Sequence, residues 1–513
     1  MTFTQWFIFF LLVQIIHFLG TWKLYIKAGR KAWEAAIPIY NAVVLMQIIN
    51  RPKWWVILLF FPIINLLMFM VIWVETIRSF GFHTTKDTVL VIATLGFYIY
   101  YINYFTDAKY IQDRSLKPRT SAGEWISSIV FAIIAATFVH TYIMQPYTIP
   151  TSSLEKSLLI GDFLFVSKFH YGARVPMTTI AAPMVHDTLP LIGTKSYLKK
   201  PQLPYLRIPG FQKIKRNDIV VFSWPVDTVE FFFQRTDKKI RKPIDKKSNY
   251  VKRCVGIAGD SLSIIDGIVY INGKESIMPD RAKPQYYYDV NTGGNAINVN
   301  LLKNKYHIRE GGRLADGNYV LNLCDEDAQA LSKNPTVQSM QKRLSTKGEA
   351  ENVFPNVLGL NWNKDNFGPI YIPEKGKTVA LTKESLPFYK QIITEYEKND
   401  LQVSGDQIFI NGEVVNSYTF HQDYYWMMGD NRHNSEDSRY WGFVPFDHIV
   451  GKPVFIWFSW NTDGKGMEKV RWERLFTTVH GSGKPYSFFY WFLGFIAIWY
   501  GYSKFKDKKK QAK

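Results

Sequence analysis

Cysteine is almost absent from this sequence, since Cys254 and Cys324 are the only two among 513 residues. Two cysteines allow at most one disulfide, so no disulfide framework is predicted. Neither cysteine has the spacing of a zinc ligand set. No nucleotide-binding or haem-binding motif is present either. The sequence therefore predicts no cofactor and no metal.

A cleavable leader is not expected either, although long apolar runs are present. No basic residue precedes Phe3–Leu19, and no small-residue cleavage site follows it, so this run is expected to remain as an anchor. Each run has roughly the ~20 residues that a membrane-spanning helix needs. The five predicted spans are Phe3–Leu19, Trp54–Val74, Thr88–Phe105, Trp125–Ile143 and Pro485–Tyr502.

Basic residues predict the orientation of these spans. They cluster at 23–53, 109–119 and 504–513, and all three clusters fall on one side if every run spans. Because positive loops face the cytoplasm, the region 145–484 is expected outside. The net charge of +19 is also compatible with nucleic-acid binding. Attraction of the basic clusters to anionic lipid explains it better, so no nucleic-acid partner is expected.

These features predict a division into five parts. Residues 1–122 form an N-terminal membrane module with about three spans, in which Ala28–Asn50 is an interfacial or re-entrant segment. The remaining parts are a transmembrane anchor at 123–144, an extracytoplasmic domain at 145–484, a C-terminal transmembrane helix at 485–502 and a basic cytoplasmic tail at 503–513.

The outer region has the pattern of a β-rich domain. Short aromatic and β-branched runs are bounded by Gly, Pro, Asn or Asp, and two contain the Asn-Gly signal of a hairpin. The predicted strand regions are Asp162–Phe169, Asp218–Phe222, Tyr250–Val255, Leu262–Ile271, Gln407–Val415 and Pro453–Trp460. The expected fold is a mostly β outer catalytic domain anchored by transmembrane α-helices at both ends.

Long polar stretches interrupt the predicted strands at 178–215, 226–248 and 275–401. The last one contains a predicted helix around Glu384–Lys398. Loops of this length usually decorate a scaffold or form lids. We expect them to be insertions or a subdomain and not part of the active-site machinery.

The chemistry-bearing candidates are a serine and a lysine. Hydrolysis of a peptide bond needs a nucleophile, a base and donors for the oxyanion. No G-x-S-x-G motif is present and the outer histidines show no partnering pattern, so a lysine base fits better. Lys252 lies on a predicted strand with apolar neighbours, and burial lowers a lysine pKa from about 10.4. Singly, however, Lys252 is typical of an exposed strand and Ser153 of a turn or helix N-cap.

Four sequence blocks, taken in order, make the combination specific. With the preceding anchor they resemble bacterial type I signal peptidases, which are membrane-anchored Ser/Lys enzymes that remove signal peptides from exported proteins. The blocks are Ile149–Ser153 with Leu159–Asp162, Arg216–Phe222, Tyr250–Asp260 and Gly429–Pro445.

The resemblance implies a membrane-bound serine endopeptidase that cleaves preproteins after small residues at Ala-x-Ala sites. It also implies a multi-pass protein of the bacterial inner membrane with its catalytic domain on the periplasmic face. The expected partners are signal peptides and the lipid bilayer. The protein translocation machinery is a further candidate partner.

The resemblance assigns roles to individual residues as well. Ser153 is the implied nucleophile and Lys252 the implied general base. Ser435 would hydrogen-bond the lysine amine, while the Thr151 hydroxyl and the Ser153 N–H would bind the oxyanion. The residues expected to support the site are Arg253, Asp430, Asn434, Asp437 and Arg439.

The sequence departs from the family pattern directly after the implied nucleophile. Family members usually have Met and a Glu-Pro-Thr-like segment there, whereas Leu154-Glu155-Lys156-Ser157 has no proline. The departure removes no implied catalytic group, but it can shift the turn that bears the serine.

Two other classes of function are alternatives for this sequence. A self-cleaving or regulatory Ser/Lys protease of the same broad fold is disfavoured by the spans and by the complete Gly429–Arg439 block. A non-enzymatic membrane protein is the other alternative. Spans without charged residues argue against a transporter subunit, and intact Ser153, Lys252 and Ser435 argue against an inactive relative.

Overall fold

The computed structural model describes residues 1–229, 240–306 and 308–511. Part of the predicted 226–248 insertion and Lys513 of the predicted tail therefore lie outside the described residues. The chain forms two compact units. The first, the helical unit, comprises Met1–Met144, Gly172–Pro209 and Thr228–Lys247, and the second, the β-rich unit, comprises the remainder. Two stretches that the sequence assigned to the outer domain thus belong to the helical unit.

The helices concentrate in the N-terminal part of the chain. Two end in a π-helical turn, at Val139–Ile143 and Ile392–Tyr396. Among the described residues the α-helices are α1 Phe3–Lys27, α2 Tyr40–Ile48, α3 Trp55–Leu58, α4 Ile64–Ser79, α5 Thr85–Ala93, α6 Tyr98–Phe105, α7 Ser121–Phe138, α8 Val299–Asn304, α9 Asp325–Ser332, α10 Leu386–Gln391, α11 Ser438–Trp441 and α12 Phe489–Gln511.

Two helices are long and apolar enough to cross a membrane. They are α1 and the helix Ser121–Ile143, which is α7 with its π turn. Helices α5 and α6 are bent by 116° and together form at most one further broken span. The β-rich unit ends in α12, which contains most of the fifth predicted run. Helix α12 is not one of the two helices that are long and apolar enough to cross a membrane. Lys504 and Lys506 lie in its second half.

The predicted span Trp54–Val74 does not form one continuous helix, so this prediction is wrong. Helix α3 ends at Leu58, and α4 begins at Ile64 after a turn. Pro62 has no N–H to donate, and Ile63 caps α4 with a φ of 71°. Pro62 and the left-handed residue Ile63 are consecutive, and together they interrupt the helical hydrogen bonds.

The helical unit has an apolar core of its own, into which α2 packs with Val44 and Met46 fully buried. The side-chain amide of Asn41 in α2 donates to Gln14 Oε1 of α1 at 2.7 Å. A polar residue of a predicted span thus joins two helices, as intramembrane amides commonly do.

The β-rich unit contains the named strands. They confirm the predicted strand regions, although Leu262–Ile271 and Gln407–Val415 are hairpins rather than single strands. The strands are β1 Met144–Thr148, β2 Asp162–Ser167, β3 Ile219–Ser223, β4 Asn249–Gly256, β5 Ser261–Ile265, β6 Ile268–Ile271, β7 Lys274–Glu275, β8 Gln285–Asn291, β9 Gly311–Arg313, β10 Tyr319–Cys324, β11 Ser339–Lys342, β12 Phe367–Tyr371, β13 Thr378–Ala380, β14 Leu401–Ser404, β15 Gln407–Ile410, β16 Glu413–Val415, β17 Ser417–Thr419, β18 Tyr424–Met428, β19 Val444–Pro445, β20 Ile449–Ser459 and β21 Thr477–Thr478.

The largest sheet has the strand order β1-β2-β20-β3-β4-β18-β19, with β21 added beside β20. Its strands from β2 to β19 pair antiparallel. Smaller sheets are β12-β5-β6-β7, β14-β15-β16 and the pair β13-β17. Both predicted Asn-Gly turns, at Asn272-Gly273 and Asn411-Gly412, connect hairpins.

Part of the 275–401 stretch forms a folded subdomain around the sheet β11-β8-β10-β9, whereas β12 and β13 of the stretch pair with β5 and β17 outside it. The core of this subdomain includes Tyr288, Leu323 and Leu331. The predicted helix near Glu384–Lys398 is present as α10 with its π turn.

Candidate active site

Ser153 lies in a short 3-10 turn, Ser152–Leu154, a few residues after β1. Leu154 is buried and packs in the same apolar cluster as Ile149 and Val251 of β4. An anchored leucine directly after the serine fixes the turn against the sheet. The Ser153 side chain is half-buried and makes no hydrogen bond within the described residues.

Lys252 lies in the middle of β4, with Val220 of β3 opposite it. Tyr250 and Cys254 pack in one apolar cluster while Val251 packs in another. Since side chains alternate along a strand, Lys252 shares the face of Tyr250 and Cys254. This confirms the predicted alternation.

The Lys252 side chain is only 2% exposed. Within the described part of the chain its amine forms no hydrogen bond and no ion pair. Burial lowers the pKa of Lys252 to about 8, although the carboxylate of Asp437 favours the charged form. About a tenth of the amines are then neutral at pH 7 and most are neutral at pH 9.

Gly429 lies beside two of the three candidate residues, Ser153 and Ser435. Strand β18 pairs Met428 with Arg253, so the next residue, Gly429, comes beside Lys252. A Cβ on Gly429 would lie 2.2 Å from Ser435 Oγ and 2.5 Å from the Ser153 carbonyl oxygen. The structure thus places Ser435 and the Ser153 carbonyl against Gly429, which directly follows the strand paired with β4. The sequence assigned no role to this glycine.

The hydrogen bond predicted between Ser435 and the lysine amine is not formed. Ser435 Oγ is buried and has no hydrogen-bond partner among the described residues. It instead packs against the α-carbon of Gly429. Thr151, the predicted oxyanion donor, is exposed in extended backbone before the turn.

Two buried ion pairs hold the backbone around this point. Arg439 donates from Nε and from Nη2 to Asp437, each at 2.9 Å. The Gly429 N–H also donates to the Asp437 carboxylate, at 3.0 Å. Burial alone would raise the pKa of Asp437, but Arg439 beside it holds that pKa below its usual value. Asp437 therefore stays ionised and fixes Gly429.

The second pair joins Arg253 of β4 to Asp430. Arg253 Nε and Nη2 donate to the two carboxylate oxygens at 2.7 and 2.6 Å. Ser157 Oγ donates to the same carboxylate at 2.5 Å. Because Ser157 follows the serine turn, Asp430 ties that segment to the strand that carries Lys252.

The Gly429–Arg439 segment, here called the loop, also contacts the serine turn directly. The Asn431 N–H donates to the Ser153 carbonyl at 3.1 Å. Its side-chain amide donates to the Ser152 carbonyl at 3.2 Å, and the Asn434 amide donates to Ser152 Oγ at 3.2 Å. The sequence analysis assigned no role to Asn431. The only feature of the sequence that pointed to it was its position within the Gly429–Pro445 block.

The segment that departs from the family pattern is engaged by the 275–401 subdomain. Lys156 pairs with Asp327 at 2.9 Å, and Glu155 pairs with Arg309 at 3.6 Å. These two ion pairs connect the 275–401 stretch to the residues that directly follow the Ser152–Leu154 turn.

The 275–401 stretch also holds the loop, through hydrogen bonds with His433. The Tyr287 N–H donates to His433 Nδ1 at 3.1 Å, so the proton is on Nε2 and is donated to Asp365 Oδ1 at 2.8 Å. His433 and Asp365 are both almost completely buried. The hydrogen bonds fix the neutral tautomer and the loop backbone two residues before Ser435.

Removing this contact is expected to slow catalysis. We expect His433→Ala to lower kcat by about 10- to 100-fold, since losing a buried hydrogen bond costs roughly 1–3 kcal/mol and releases the Ser435 loop. KM should change much less. The matched control is His421→Ala, because His421 is mostly exposed and its pairing with Glu397 lies outside the site. Equal kcat values for both variants would contradict this prediction.

Adding one methyl group at Gly429 tests how closely the site is packed. Gly429→Ala places a Cβ where Ser435 Oγ and the Ser153 carbonyl already lie. Overpacking of this kind costs about 1–3 kcal/mol, and a displacement of about 1 Å lowers rates by about 100-fold. Gly312→Ala is the control, because open space surrounds that position. Steady-state kinetics and thermal melts of both variants provide the measurement, and normal activity in Gly429→Ala would refute the packing described here.

Within the described residues, no group of three or more His, Cys, Asp or Glu side chains could hold a metal ion. Cys254 and Cys324 are both free thiols, and both are buried. The disulfide that the sequence left open is thus not formed.

The architecture is that of a membrane protein whose functional domain is β-rich. Comparison with models of known protein families identifies the family. Residues 122–322 and 370–460, more than half of the chain, match the family described as signal peptidase, peptidase S26. The chain therefore belongs to the signal peptidase family, peptidase S26. Residues 33–113 match a separate family of unknown function, DUF5684.

Curated relatives agree with this assignment. The chain is 26% identical over 371 residues to signal peptidase I of Helicobacter pylori strain J99, covering 70% of this chain and 92% of the relative. It is 25% identical over 368 residues to signal peptidase I of Haemophilus influenzae, covering 71% and 78%. It is 24% identical over 383 residues to signal peptidase I of Rickettsia massiliae, covering 71% and 95%. Asp327 and Asp365 lie between the two matched segments. The ion pair of Lys156 with Asp327 and the hydrogen bond of His433 with Asp365 therefore involve residues outside the family match.

Proposed function

We propose that this membrane peptidase removes N-terminal signal peptides from exported preproteins, cleaving after small residues at Ala-x-Ala sites with a Ser/Lys dyad. The name shared by the relatives supports the substrate class. The observation that carries the dyad is the burial of Lys252, whose amine has no ion pair or hydrogen bond in the described structure, on strand β4, which packs against the turn that bears Ser153.

In the proposed reaction the neutral amine of Lys252 takes the proton of Ser153. Ser153 Oγ attacks the scissile carbonyl, and the resulting ammonium gives its proton to the leaving amine. The acyl-enzyme is then hydrolysed by a water that Lys252 deprotonates. Each step needs the amine to be uncharged at its start, which burial achieves near neutral pH.

Oxyanion binding and lysine orientation complete the proposal. The Ser153 N–H and the Thr151 hydroxyl, which is exposed toward solvent, donate to the oxyanion. The Ser435 hydroxyl is buried beside the site without a partner in the described structure, so it is available to the lysine amine once substrate orders the site. The buried pairs Asp437–Arg439 and Arg253–Asp430 support the backbone, and Asn434 supports the turn.

Two strand edges beside the serine suit an extended substrate. Strand β1 is an edge strand, and β18 pairs with β4 only from Arg253 onward. Asn249 of β4 donates to the Tyr147 hydroxyl of β1 at 3.3 Å, which keeps the two strands close. A peptide added as a strand gains main-chain hydrogen bonds there, and side-chain pockets then select the small residues.

The proposal places the enzyme in the bacterial inner membrane with the β-rich unit on the periplasmic face. The basic clusters of the sequence support that orientation, and a substrate held in the bilayer explains why the enzyme is membrane-anchored. The translocation machinery, which delivers such substrates, is a candidate partner for the N-terminal module.

The test is cleavage of a purified preprotein by the full-length protein in detergent or lipid. An Ala-x-Ala preprotein should be cut once, after the second alanine. Replacing that alanine by tryptophan should abolish cleavage, because a pocket for a methyl group excludes an indole. Unchanged cleavage of the tryptophan substrate, or no cleavage of either, would overturn the proposed specificity.

A further inference from the structure

The segment Gly172–Pro209, here called the arm, belongs to the helical unit. Its two limbs are joined by antiparallel bridges, from Arg174 with Arg207 at the base to Thr188 with Lys195 near the tip. The proposed peptidase activity assigns no role to the arm. The contacts and the exposed surface of the arm suggest a role.

The base of the arm contacts one end of each candidate membrane span. The indole N–H of Trp6, near the start of α1, donates to the Gln202 carbonyl at 2.9 Å. Ala173 is buried in the same apolar cluster as Tyr142, which lies in the last turn of the Ser121–Ile143 helix. Helices that just cross a bilayer end at the level of the lipid headgroups. Contacts with two such ends place the base of the arm in the plane of the membrane surface.

Residues 245 and 246 of the helical unit hold the arm through hydrogen bonds. Asp245 accepts a hydrogen bond from the Thr178 hydroxyl at 2.9 Å, and Lys246 donates to the Val185 carbonyl at 3.4 Å. Other side chains of the arm are apolar and exposed; Leu191 at the tip is fully exposed and Ile192 is 70% exposed. The exposed apolar residues include Met184, Leu198, Leu206 and Ile208.

The charge of the arm matches an anionic surface. It carries five basic residues and one acidic residue. Lys199 and Lys200 are exposed and form no ion pair within the described part of the chain. A lysine near an anionic membrane surface contributes about 1 kcal/mol of attraction. Apolar side chains with flanking lysines are the composition of elements that lie in a lipid interface.

We propose that the arm lies on the membrane surface, where Leu191 and Ile192 insert at the boundary between headgroups and acyl chains. Lys199 and Lys200 contact the lipid phosphates beside them. The occupant of this apolar surface is therefore lipid. This inference depends on the membrane helices and is independent of the catalytic assignment.

The test uses the full-length protein in vesicles of phosphatidylcholine and phosphatidylglycerol. A polarity-sensitive dye is attached to Leu191→Cys, since both native cysteines are buried. We expect emission at shorter wavelength, at least twofold quenching by lipids with a nitroxide near the headgroup, and little quenching by iodide. Adding Lys199→Glu and Lys200→Glu should weaken the lipid quenching.

The same dye on Leu358→Cys provides the comparison, because Leu358 is an equally exposed leucine outside the arm. The proposal requires the dye at 191 to be better protected from iodide than the dye at 358. Equal iodide quenching at both positions, with no effect of nitroxide lipids on the dye at 191, would overturn the insertion. Lipid quenching unaffected by the two lysine substitutions would overturn the electrostatic contribution.

Discussion

Lys252→Met is expected to abolish cleavage while making the folded protein more stable. The thioether cannot accept the Ser153 proton, and loss of a general base lowers rates by about 10²- to 10⁴-fold. The pKa of about 8 also means that burial disfavours the charged amine, by roughly 3 kcal/mol at neutral pH. Replacing a buried amine that has no hydrogen bond or ion pair in the described structure by an apolar side chain of similar volume removes this cost.

The stability effect has a definite pH dependence. The folded-state pKa lies below the unfolded value, so the unfolded chain binds more protons between about pH 8 and 10.5. The stability of the parent protein should therefore rise through that range. The advantage of Lys252→Met in thermal melts should be largest near pH 7 and should shrink toward pH 10. A variant that melts below the parent protein at pH 7 would contradict the buried-amine interpretation.

A matched control separates this effect from loss of any buried lysine. Lys246 is also buried, and burial lowers its pKa, but it lies in the helical unit. Lys246→Met should retain cleavage within about threefold, because surface and scaffold changes away from the site have small effects. Loss of activity in both variants would remove the special role assigned to Lys252.

Ser153→Ala is expected to remove cleavage entirely, at least about 10⁴-fold, because no acyl-enzyme can form. Its fold should be unaffected, since the Ser153 hydroxyl makes no hydrogen bond within the described structure. The neighbouring substitution Ser152→Ala is the control. It removes one hydrogen bond, from Asn434 at 3.2 Å, so its activity should fall by no more than about tenfold. Cleavage assays of the two purified variants test this, and the reverse order of activities would assign the nucleophile to Ser152.

The strands around the site could be predicted from the sequence because each one carries a local signal. Alternation placed Lys252 between Tyr250 and Cys254 on one face of β4, and Asn-Gly turns marked two hairpins. The hairpin within Leu262–Ile271 was missed, although Asp266-Gly267 is itself a turn signal. The break before α4 had a signal too, since Pro62 cannot continue a helix.

The contacts that position the site could not be predicted in the same way. His433 and Asp365 are 68 residues apart, and nothing in the local pattern of either residue indicates that they meet. The role of Gly429 depends on the distance from its α-carbon to Ser435 and Ser153, which only the folded chain defines. The ion pairs of the 275–401 stretch with Glu155 and Lys156 were not predicted for the same reason, because Arg309 and Asp327 look like ordinary surface charges in the sequence.

The most direct test of the account is the pH dependence of acylation at Ser153. A serine-directed acylating inhibitor is added to the full-length protein, and the rate of labelling is followed by mass spectrometry between pH 6 and 10. We expect the label on Ser153, at a rate that rises with a midpoint near pH 8 and reaches a plateau as the Lys252 amine loses its proton. A rate independent of pH, or a label on another residue, would contradict the claim that a buried neutral lysine activates this serine.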